Sequence, residues 1–468
     1  MDKYYIELKN KEISKYIQIA LHIKELIEKG LLNDGEKLPS IRALASLLTV
    51  NNITVINAYK KLEDEGYTLM KIGSGSYVHK KDIIKSFKRE YLDSFKKITG
   101  SLITEYIDFT GETTSSDFFP VLSFKNILNE VLDRDGKEAL IYQEALGFEG
   151  LRESIDSFFW NGSIGSDNIL IVSGAQQGID VVSKALINTN DGVIVEKPTY
   201  SGALNVFNLR RANVYEVPLE EDGINTKELE KIVKKHKIKC FYTMSYFQNP
   251  TGITCSLKKK REILNLAQIY DFYIIEDDYL SELIYNHSIK YNSYKSLDIN
   301  DRVIYIKSFS KIFLPGIRLG YLISPLKFKE SIQNSKFNSD ISTSSLMQRA
   351  LDLYINKGLW KEYIIQINKT YEKRYVFLLK KLKTILKDKV EYFEPGGGLH
   401  IYLKISDDIH MDSIELFYQC LKVKILITPG VLFHKNQKDG NKFFRIGFSK
   451  TSEDEILKGL NAINNILK

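Results

Sequence analysis

The chain has 468 residues, of which 43% are hydrophobic and 27% are charged, and its formal net charge is +7. This composition is typical of a soluble globular protein, and the length exceeds what one small core accommodates, so two or more domains are expected. Because no run of about 18 apolar residues occurs, the sequence predicts no transmembrane helix.

The three cysteines, Cys240, Cys255 and Cys420, are far apart in the sequence. They form no CxxC pair and no disulfide framework, so a reducing compartment is expected. The segment Met1–Glu7 lacks the basic-then-apolar order of a secretory signal. These features favour a cytoplasmic protein, and no metal site is predicted.

The first elements along the chain are three predicted helices and a hairpin. Apolar residues at helical spacing between residues 13 and 27 predict the first helix, which is expected to end at Gly30. Ser40 is a suitable N-cap for a short second helix. A third helix is expected over Asn52–Glu65, and alternation within residues 67–78 predicts a small hairpin around a glycine-rich turn. Together these elements predict a winged helix-turn-helix.

A winged helix-turn-helix places its third helix in the major groove, and its glycine-rich wing can approach the DNA backbone closely. Residues 1–90 hold 16 Lys/Arg against 12 Asp/Glu, a basic surplus that fits a polyanion partner. Two alternatives stay open on these grounds. Three-helix units also serve as structural caps, and the surplus charge is compatible with an ordinary solvated surface.

Four segments of this region closely resemble the GntR family of bacterial repressors. They are Gly-x-Leu from residue 30, Gly-Glu-x-Leu-Pro-Ser-x-Arg-x-Leu-Ala from residue 35, Thr-Val-x-x-Ala-Tyr-x-x-Leu-x-x-x-Gly from residue 54, and Gly-Ser-Gly-x-Tyr-Val from residue 73. Where the family often has a serine–arginine pair, this chain has Asn51, Asn52 and Ile53, so an atypical operator is expected; Asn52 can still bond base edges or phosphates. The resemblance implies a DNA-binding domain over residues 1–79, with DNA contacts from Arg42, Thr54, Lys71, Gly73 and Gly75.

A lysine-rich linker is predicted over residues 80–106. It lacks the Pro/Gly/Ser bias of a flexible spacer, and partial helix is expected between Asp82 and Lys97. A solvated charged connector is favoured over a second DNA-binding patch.

Over residues 107–468, short apolar runs alternate with helical patterns. This alternation predicts an α/β fold with a mostly parallel sheet and helices on both faces, and ligands in such folds lie beyond the carboxyl ends of the strands. The predicted strands are Ile169–Val172, Gly192–Glu196, Val214–Val217, Lys239–Thr243, Phe272–Glu276 and Val303–Lys307, and the predicted helices lie near 175–188, 226–236 and 257–270.

Polar or aromatic motifs follow several of these strands. Ser173–Gly178 opens a helix and can cradle a phosphate on its backbone amides, although taken alone a helix cap is favoured. Tyr200 can offer an aromatic face to a flat ring. Asn249 can bond a ring oxygen, although taken alone its segment indicates a turn. Asp277 can pair with a pyridinium nitrogen and keep it protonated, and Tyr279 can share the ring hydroxyl.

The stretch Ser308–Tyr321, after the last predicted strand, combines a lysine, two hydroxyls and an arginine among glycines. This pattern suits pyridoxal 5'-phosphate (PLP), because Lys311 would form a Schiff base with the cofactor aldehyde. Ser308, Ser310 and Arg318 would hold the phosphate through charge-assisted hydrogen bonds. Because the motifs occur at successive strand ends in this order, we interpret them as one site.

The order of these motifs resembles the fold-type I, aspartate-aminotransferase class of PLP proteins, from about Phe109 to the end of the chain. The resemblance implies a seven-stranded-type sheet, a smaller C-terminal α/β subdomain and a homodimer. It assigns Lys311 to the Schiff base, Asp277 to the ring nitrogen and Arg445 to the substrate carboxylate, with a surface salt bridge as the alternative for Arg445. The other contacts that it implies are Tyr279 and Asn249 at the ring hydroxyl, Tyr200 stacked on the ring, Ala175, Gln176, Ser308, Ser310 and Arg318 at the phosphate, and Tyr142 at the phosphate of the other subunit.

Joined in this order, the two halves resemble the MocR/GabR-type regulators, in which a GntR-like winged helix is fused to an aminotransferase-like domain. The resemblance implies a transcriptional regulator that binds a double-stranded DNA operator and senses PLP, a small amino compound or both through an aldimine on Lys311. One alternative is an active aminotransferase, acting between an amino acid and a 2-oxo acid, with an accessory DNA-binding domain. The segment Phe247–Pro250 favours this alternative. Many of these regulators have His-Gln-aromatic-Pro at this position, and this chain has Phe-Gln-Asn-Pro. A structural descendant that has lost PLP is disfavoured, because Lys311, Asp277 and Tyr279 are all present.

Overall fold

The computed structural model of the protein describes residues 2–8, 14–28, 31–33, 35–64, 66–71, 73–78, 87, 90–92 and 105–468. The chain divides into two compact units, Met1–Ser101 and Leu102–Lys468. The predicted helix end at Gly30 and most of the predicted helix between Asp82 and Lys97 lie outside the described residues. Within the described ranges, no helix is long and apolar enough to cross a membrane.

The first unit contains the predicted winged helix-turn-helix. Ser40 caps the second helix, because its hydroxyl accepts a hydrogen bond from the Ala43 N–H at 3.2 Å. The wing strands are antiparallel, and their turn uses Gly73 and Gly75 at φ values of +77° and +113°, which favour glycine. The elements are α1 (Lys15–Glu28), α2 (Ile41–Leu48), α3 (Asn52–Asp64), β1 (Thr68–Lys71) and β2 (Gly75–Val78).

The second unit contains a large mixed sheet, a smaller antiparallel sheet and a short parallel pair of strands. Its strands are β3 (Ile107–Asp108), β4 (Ile169–Val172), β5 (Gly192–Lys197), β6 (Asn213–Glu220), β7 (Gly223–Ile224), β8 (Ile238–Thr243), β9 (Tyr273–Asp278), β10 (Val303–Ser308), β11 (Gly320–Ile323), β12 (Val390–Tyr392), β13 (His400–Ile405), β14 (Ile425–Leu426), β15 (Thr428–Pro429) and β16 (Phe443–Gly447).

The large sheet has the strand order β4-β11-β10-β9-β8-β5-β6-β7. The central strands β10, β9, β8, β5 and β6 are parallel neighbours, as their continuous apolar runs predict. The sequence did not predict β11, which runs antiparallel between β4 and β10, or the two-residue edge strand β7. Residues 309–319 join β10 to β11 without an α-helix, whereas parallel neighbours usually need a helical crossover.

Helices connect many of the strands of the second unit. The predicted helices near 175–188, 226–236 and 257–270 are present as α6, α8 and α9 of the following set. The helices of the second unit are α4 (Val121–Asp135), α5 (Glu149–Trp160), α6 (Ala175–Leu186), α7 (Ser201–Leu209), α8 (Thr226–Lys235), α9 (Leu257–Ile269), α10 (Tyr294–Leu297), α11 (Lys329–Phe337), α12 (Ser345–Asn356), α13 (Leu359–Ile385), α14 (Ser413–Lys422) and α15 (Glu453–Ile466).

The smaller sheet, of order β12-β13-β16-β15, forms the C-terminal α/β part that the resemblance implied. In it, Arg445 on β16 lies opposite Tyr402 on β13. The segment that follows β3 is fixed to β16, because the Gly447 N–H donates to the Phe109 carbonyl at 2.6 Å. The backbones approach so closely that a Cβ on Gly447 would collide with the Gly111 carbonyl oxygen. This contact positions the residues just after Phe109.

Candidate functional site

A cavity of about 160 Å³ lies at or just beyond the carboxyl ends of β4, β5, β8, β9 and β10. It brings together ten residues that the sequence predicted for one site: Ala175, Gln176, Tyr200, Asn249, Asp277, Tyr279, Ser308, Ser310, Lys311 and Arg318. Glu112 and Met244 complete its lining and were not predicted. The position agrees with the rule that open α/β sheets bind ligands beyond the carboxyl ends of their strands.

Lys311 lies in the loop between β10 and β11, and its ammonium faces an acidic partner. Nζ donates a hydrogen bond to Glu112 Oε2 at 2.9 Å, and the lysine side chain is 29% exposed. The Lys311 carbonyl accepts from the Thr114 N–H at 3.0 Å, which ties the loop to the segment that carries Glu112. The backbone that carries the Lys311 amine is therefore fixed, and the amine remains accessible from the cavity.

Asp277, near the end of β9, is buried and only half satisfied. Its Oδ2 accepts a hydrogen bond from the Tyr242 hydroxyl at 2.7 Å, whereas Oδ1 is buried without a partner among the described residues. Burial raises the pKa of Asp277 to about 6, although the Tyr242 hydrogen bond opposes the shift. A buried carboxylate oxygen without a donor is suited to a cationic N–H from a ligand.

An anion cradle forms where α6 begins. The N-cap is Gly174, so no side chain caps the first N–H groups of the helix, which include those of Ala175 and Gln176. Arg318 lies beside this terminus and donates to the Ser173 carbonyl at 2.9 Å and to Ser310 Oγ at 3.4 Å. A Cβ on Gly174, whose φ is +92°, would lie 3.0 Å from the Arg318 guanidinium. Helix terminus, guanidinium and hydroxyl thus converge on a place for a phosphate.

Two tyrosines line the cavity with their hydroxyls already engaged. Tyr200 donates to Gln176 Oε1 at 3.2 Å, and Tyr279 donates to the Phe247 carbonyl at 2.6 Å. Burial raises the pKa of both phenols above the usual value for tyrosine. Both therefore stay protonated near neutral pH and can accept a further hydrogen bond on oxygen.

Arg445 lies beside the cavity and is 2% exposed, which excludes the alternative of a surface salt bridge. Its Nη1 donates to Asn249 Oδ1 at 2.6 Å and forms an ion pair with Glu112. The Asn249 Nδ2 donates to the same carboxylate at 3.3 Å. Asn249 is thus held by Arg445 and Glu112, and it lines the cavity in that orientation.

Of the predicted cofactor contacts, Tyr142 alone does not line the cavity. Its side chain is 77% exposed, next to the exposed Leu140 and Ile141. A single chain does not bring Tyr142 to the site.

The predicted DNA-contacting residues lie on the first unit. Arg42 is the second residue of α2, Asn52 begins α3, and Lys71 ends β1 with its ammonium 4.9 Å from the centre of the Tyr77 ring. Thr54 is half-buried, whereas Arg42, Asn52, Lys71, Gly73 and Gly75 are exposed. Ile53 and Ile56, which the sequence analysis did not assign to DNA contact, are also exposed on α3. Apolar side chains of this kind can contact thymine methyl groups in a major groove.

Two family descriptions match the chain. Residues 115–463 match aminotransferase class I and II, and residues 15–78 match bacterial regulatory proteins of the gntR family. The chain belongs to the aminotransferase class I and II family. A gntR-family domain precedes the aminotransferase domain, and HTH-type transcriptional regulators match the chain over nearly its full length. The chain is therefore a DNA-binding transcriptional regulator of the MocR type.

Similar proteins include both regulators and aminotransferases. The uncharacterized HTH-type transcriptional regulator YdfD of Bacillus subtilis is 29% identical over 99% of this chain and 98% of that protein. The aromatic-amino-acid aminotransferase 1 of Thermococcus litoralis is 29% identical over 78% of this chain and 88% of that protein. The crystal structure of Pyrococcus horikoshii kynurenine aminotransferase in complex with PMP matches at 30% identity and a TM-score of 0.75, over 81% of this chain and 95% of that chain. Members of the aminotransferase class I and II family use PLP, which confirms the predicted cofactor.

Proposed function

We propose that this regulator responds to PLP, to a small amino compound or to both, and that it detects these compounds through Lys311. One observation carries the proposal: the Lys311 amine, the unpaired Asp277 oxygen and an anion cradle belong to the same cavity. On this proposal residues 1–79 bind DNA, residues 80–106 link the two parts, and residues 107–468 hold the cofactor.

The residues around the cavity fit PLP. A phosphate fits the N-terminus of α6 beside Arg318, where Gly174 leaves the helix without a side-chain cap. A protonated ring nitrogen would give the buried Asp277 Oδ1 the donor that it lacks. When bound, PLP supplies an aldehyde that condenses with amines and a ring that withdraws electrons.

Each residue of the chain has a separate task at this site. Asp277 holds positive charge at Oδ1, while Tyr242 keeps its Oδ2 in place. Tyr279 offers its oxygen as an acceptor, since its own proton is donated to the Phe247 carbonyl. Lys311 presents its amine to the cavity, and whenever that amine is free and protonated it pairs with Glu112. An amino compound that competes with Lys311 therefore changes the charge balance around Glu112.

A second candidate function is transamination between an amino acid and a 2-oxo acid. It is favoured by the presence of Lys311, Asp277 and Tyr279 in one cavity, with Arg445 buried nearby. Release of a 2-oxo acid over many turnovers would establish catalysis. A ligand-dependent change in DNA affinity without turnover would support regulation alone.

Arg42→Ala is expected to weaken binding to specific DNA by about 1–3 kcal/mol while leaving the absorption spectrum of the bound cofactor unchanged. The arginine is exposed on α2 of the DNA-binding unit, so its loss removes a DNA contact without disturbing the core. The DNA can be selected by the wild-type protein from a pool of random duplexes, and affinity measured by gel shift. Arg261→Ala, which removes an exposed arginine from α9, is the matched control. Unchanged affinity in the Arg42 variant would refute its role.

We further infer a homodimer in which Tyr142 of each subunit completes the phosphate site of the other. The exposure of Tyr142, Leu140 and Ile141 supports this inference, because adjacent exposed apolar residues mark protein contact surfaces. A two-fold dimer also presents two winged helices to a repeated DNA site.

A mixed dimer of Lys311→Ala and Tyr142→Phe subunits tests this arrangement. The Lys311→Ala subunit keeps Tyr142, so it should restore one complete site on the subunit that keeps Lys311. That site is expected to retain PLP as the wild type does, whereas the Tyr142→Phe homodimer should lose about 1–3 kcal/mol of affinity. PLP retention equal to the average of the two parents would show that Tyr142 does not act across the interface.

A further inference from the structure

Glu112 lies between Lys311 and Arg445 and forms an ion pair with each. Its Oε2 accepts from Lys311 Nζ at 2.9 Å, and its Oε1 pairs with Arg445 and accepts from Asn249 Nδ2 at 3.3 Å. The carboxylate is mostly buried, with 21% of its side chain exposed. Burial alone raises a carboxyl pKa, but the charges of Arg445 and Lys311 outweigh it and hold the pKa of Glu112 well below its usual range. Glu112 is therefore an anion in this cavity.

The backbone on both sides of Glu112 is fixed. The Phe109 N–H donates to the Leu426 carbonyl at 2.9 Å, and the Thr114 hydroxyl donates to the Phe313 carbonyl at 3.1 Å. Gly111 packs so tightly that a Cβ there would lie 2.6 Å from Ser449 Oγ. The carboxylate is thus supplied by an anchored segment, which gives it a high effective concentration at Arg445.

Both terminal nitrogens of the Arg445 guanidinium already have partners. Nη1 bonds Glu112 and Asn249, and Nη2 lies 3.4 Å from both the Thr110 carbonyl and Thr428 Oγ1. Nε has no partner among the described residues, but it is buried away from solvent. A ligand carboxylate that sought this guanidinium would have to displace Glu112 or lie beside it, and two like charges at that separation repel.

We propose that Glu112 takes the place of a ligand carboxylate at Arg445, so that this site selects primary amines without a carboxylate next to the amino group. The inference rests on the proposed function, because it concerns which amino compound meets the cofactor at Lys311. It makes Glu112 the specificity-determining residue of the cavity and leaves Arg445 as the group that holds Glu112.

A matched pair of ligands tests the proposal on the holo-protein. L-Phenylalanine and 2-phenylethylamine differ by the carboxylate alone, and the absorption of the bound cofactor reports the binding of each. The wild-type protein is expected to bind 2-phenylethylamine at least about tenfold more tightly than phenylalanine. This comparison needs no variant, so it stands even if a substitution disturbs folding.

Glu112→Gln should remove most of this preference, because it removes the competing charge and keeps the shape of the side chain. Its affinity for phenylalanine is expected to rise by about tenfold, with a much smaller change for 2-phenylethylamine. Glu105→Gln is the matched control, since Glu105 is an exposed carboxylate that pairs with Lys424. The control should keep the wild-type preference.

Tighter binding of phenylalanine than of 2-phenylethylamine by the wild type would overturn the proposal, as would an unchanged phenylalanine affinity in Glu112→Gln. A holo-protein with a normal cofactor spectrum that responds to neither compound would also overturn it, while PLP sensing at Lys311 would survive. A wild-type protein that shows no cofactor absorption after incubation with PLP would overturn the proposed function itself.

Discussion

Lys311→Ala is expected to abolish the covalent retention of PLP. Among the residues that line the cavity, Lys311 carries the one primary amine. In the wild type, borohydride reduction should therefore fix the cofactor irreversibly, and peptide mapping should place the label on Lys311. The variant should show no such label, although the anion cradle at α6 can still bind PLP weakly and reversibly.

A surface lysine provides the control for this experiment. Lys184 lies in the last turn of α6 and pairs with Asp180 on the helix surface, away from the residues that line the cavity. Lys184→Ala should retain the full label. A label on another lysine of the wild type, or an undiminished label in Lys311→Ala, would contradict the assignment.

Asp277→Asn is expected to stabilise the protein without cofactor and to weaken cofactor binding. The folded protein holds the pKa of Asp277 at about 6, above its ordinary value of 3.8, chiefly because the carboxyl is buried. Between these two values the unfolded chain has released the proton and the folded chain still binds it, so stability falls as the pH rises. Above about pH 6 the decrease in the free energy of unfolding is complete and amounts to about 3 kcal/mol. A neutral asparagine avoids it.

Urea unfolding of the cofactor-free protein measures this effect. The Asp277→Asn variant should be more stable than the wild type at pH 7.5 by up to about 3 kcal/mol, and the difference should shrink towards pH 4. The same variant should bind PLP less tightly, because a neutral amide cannot form an ion pair with the protonated ring nitrogen. Asp407→Asn removes an exposed carboxylate that pairs with Lys404 and should change neither property. Equal stability of Asp277→Asn and wild type at pH 7.5 would contradict this account.

Local sequence patterns were sufficient to predict most of the cavity. Buried parallel strands are continuous apolar runs, and Ala175, Asn249 and Lys311 follow the ends of such runs within six residues. The parallel arrangement of the strands is thus sufficient to bring these residues to the same edge of the sheet. The same holds for the winged helix, whose caps and turns depend on neighbouring residues such as Ser40 and Gly73.

The residues that sequence reasoning missed depend on distant contacts. Tyr242 is a buried aromatic residue of β8 and resembles ordinary core, and its hydroxyl meets Asp277 only because β8 and β9 pair in register. Glu112 pairs with Arg445 across a sequence separation of 333 residues. Nothing near Glu112 indicates that partner; the contact depends on the anchoring of the segment after β3 against β16.

The most direct test of the proposed regulation compares the DNA affinity of one preparation in three states: without cofactor, with PLP, and with PLP plus saturating 2-phenylethylamine. The probe is a duplex selected from random DNA by the wild-type protein, and fluorescence anisotropy reports binding at fixed salt. If Lys311 couples the cofactor site to DNA, at least one pair of states should differ by about fivefold or more, and Lys311→Ala should lose that difference. Equal DNA affinity of the wild type in all three states would contradict the coupling.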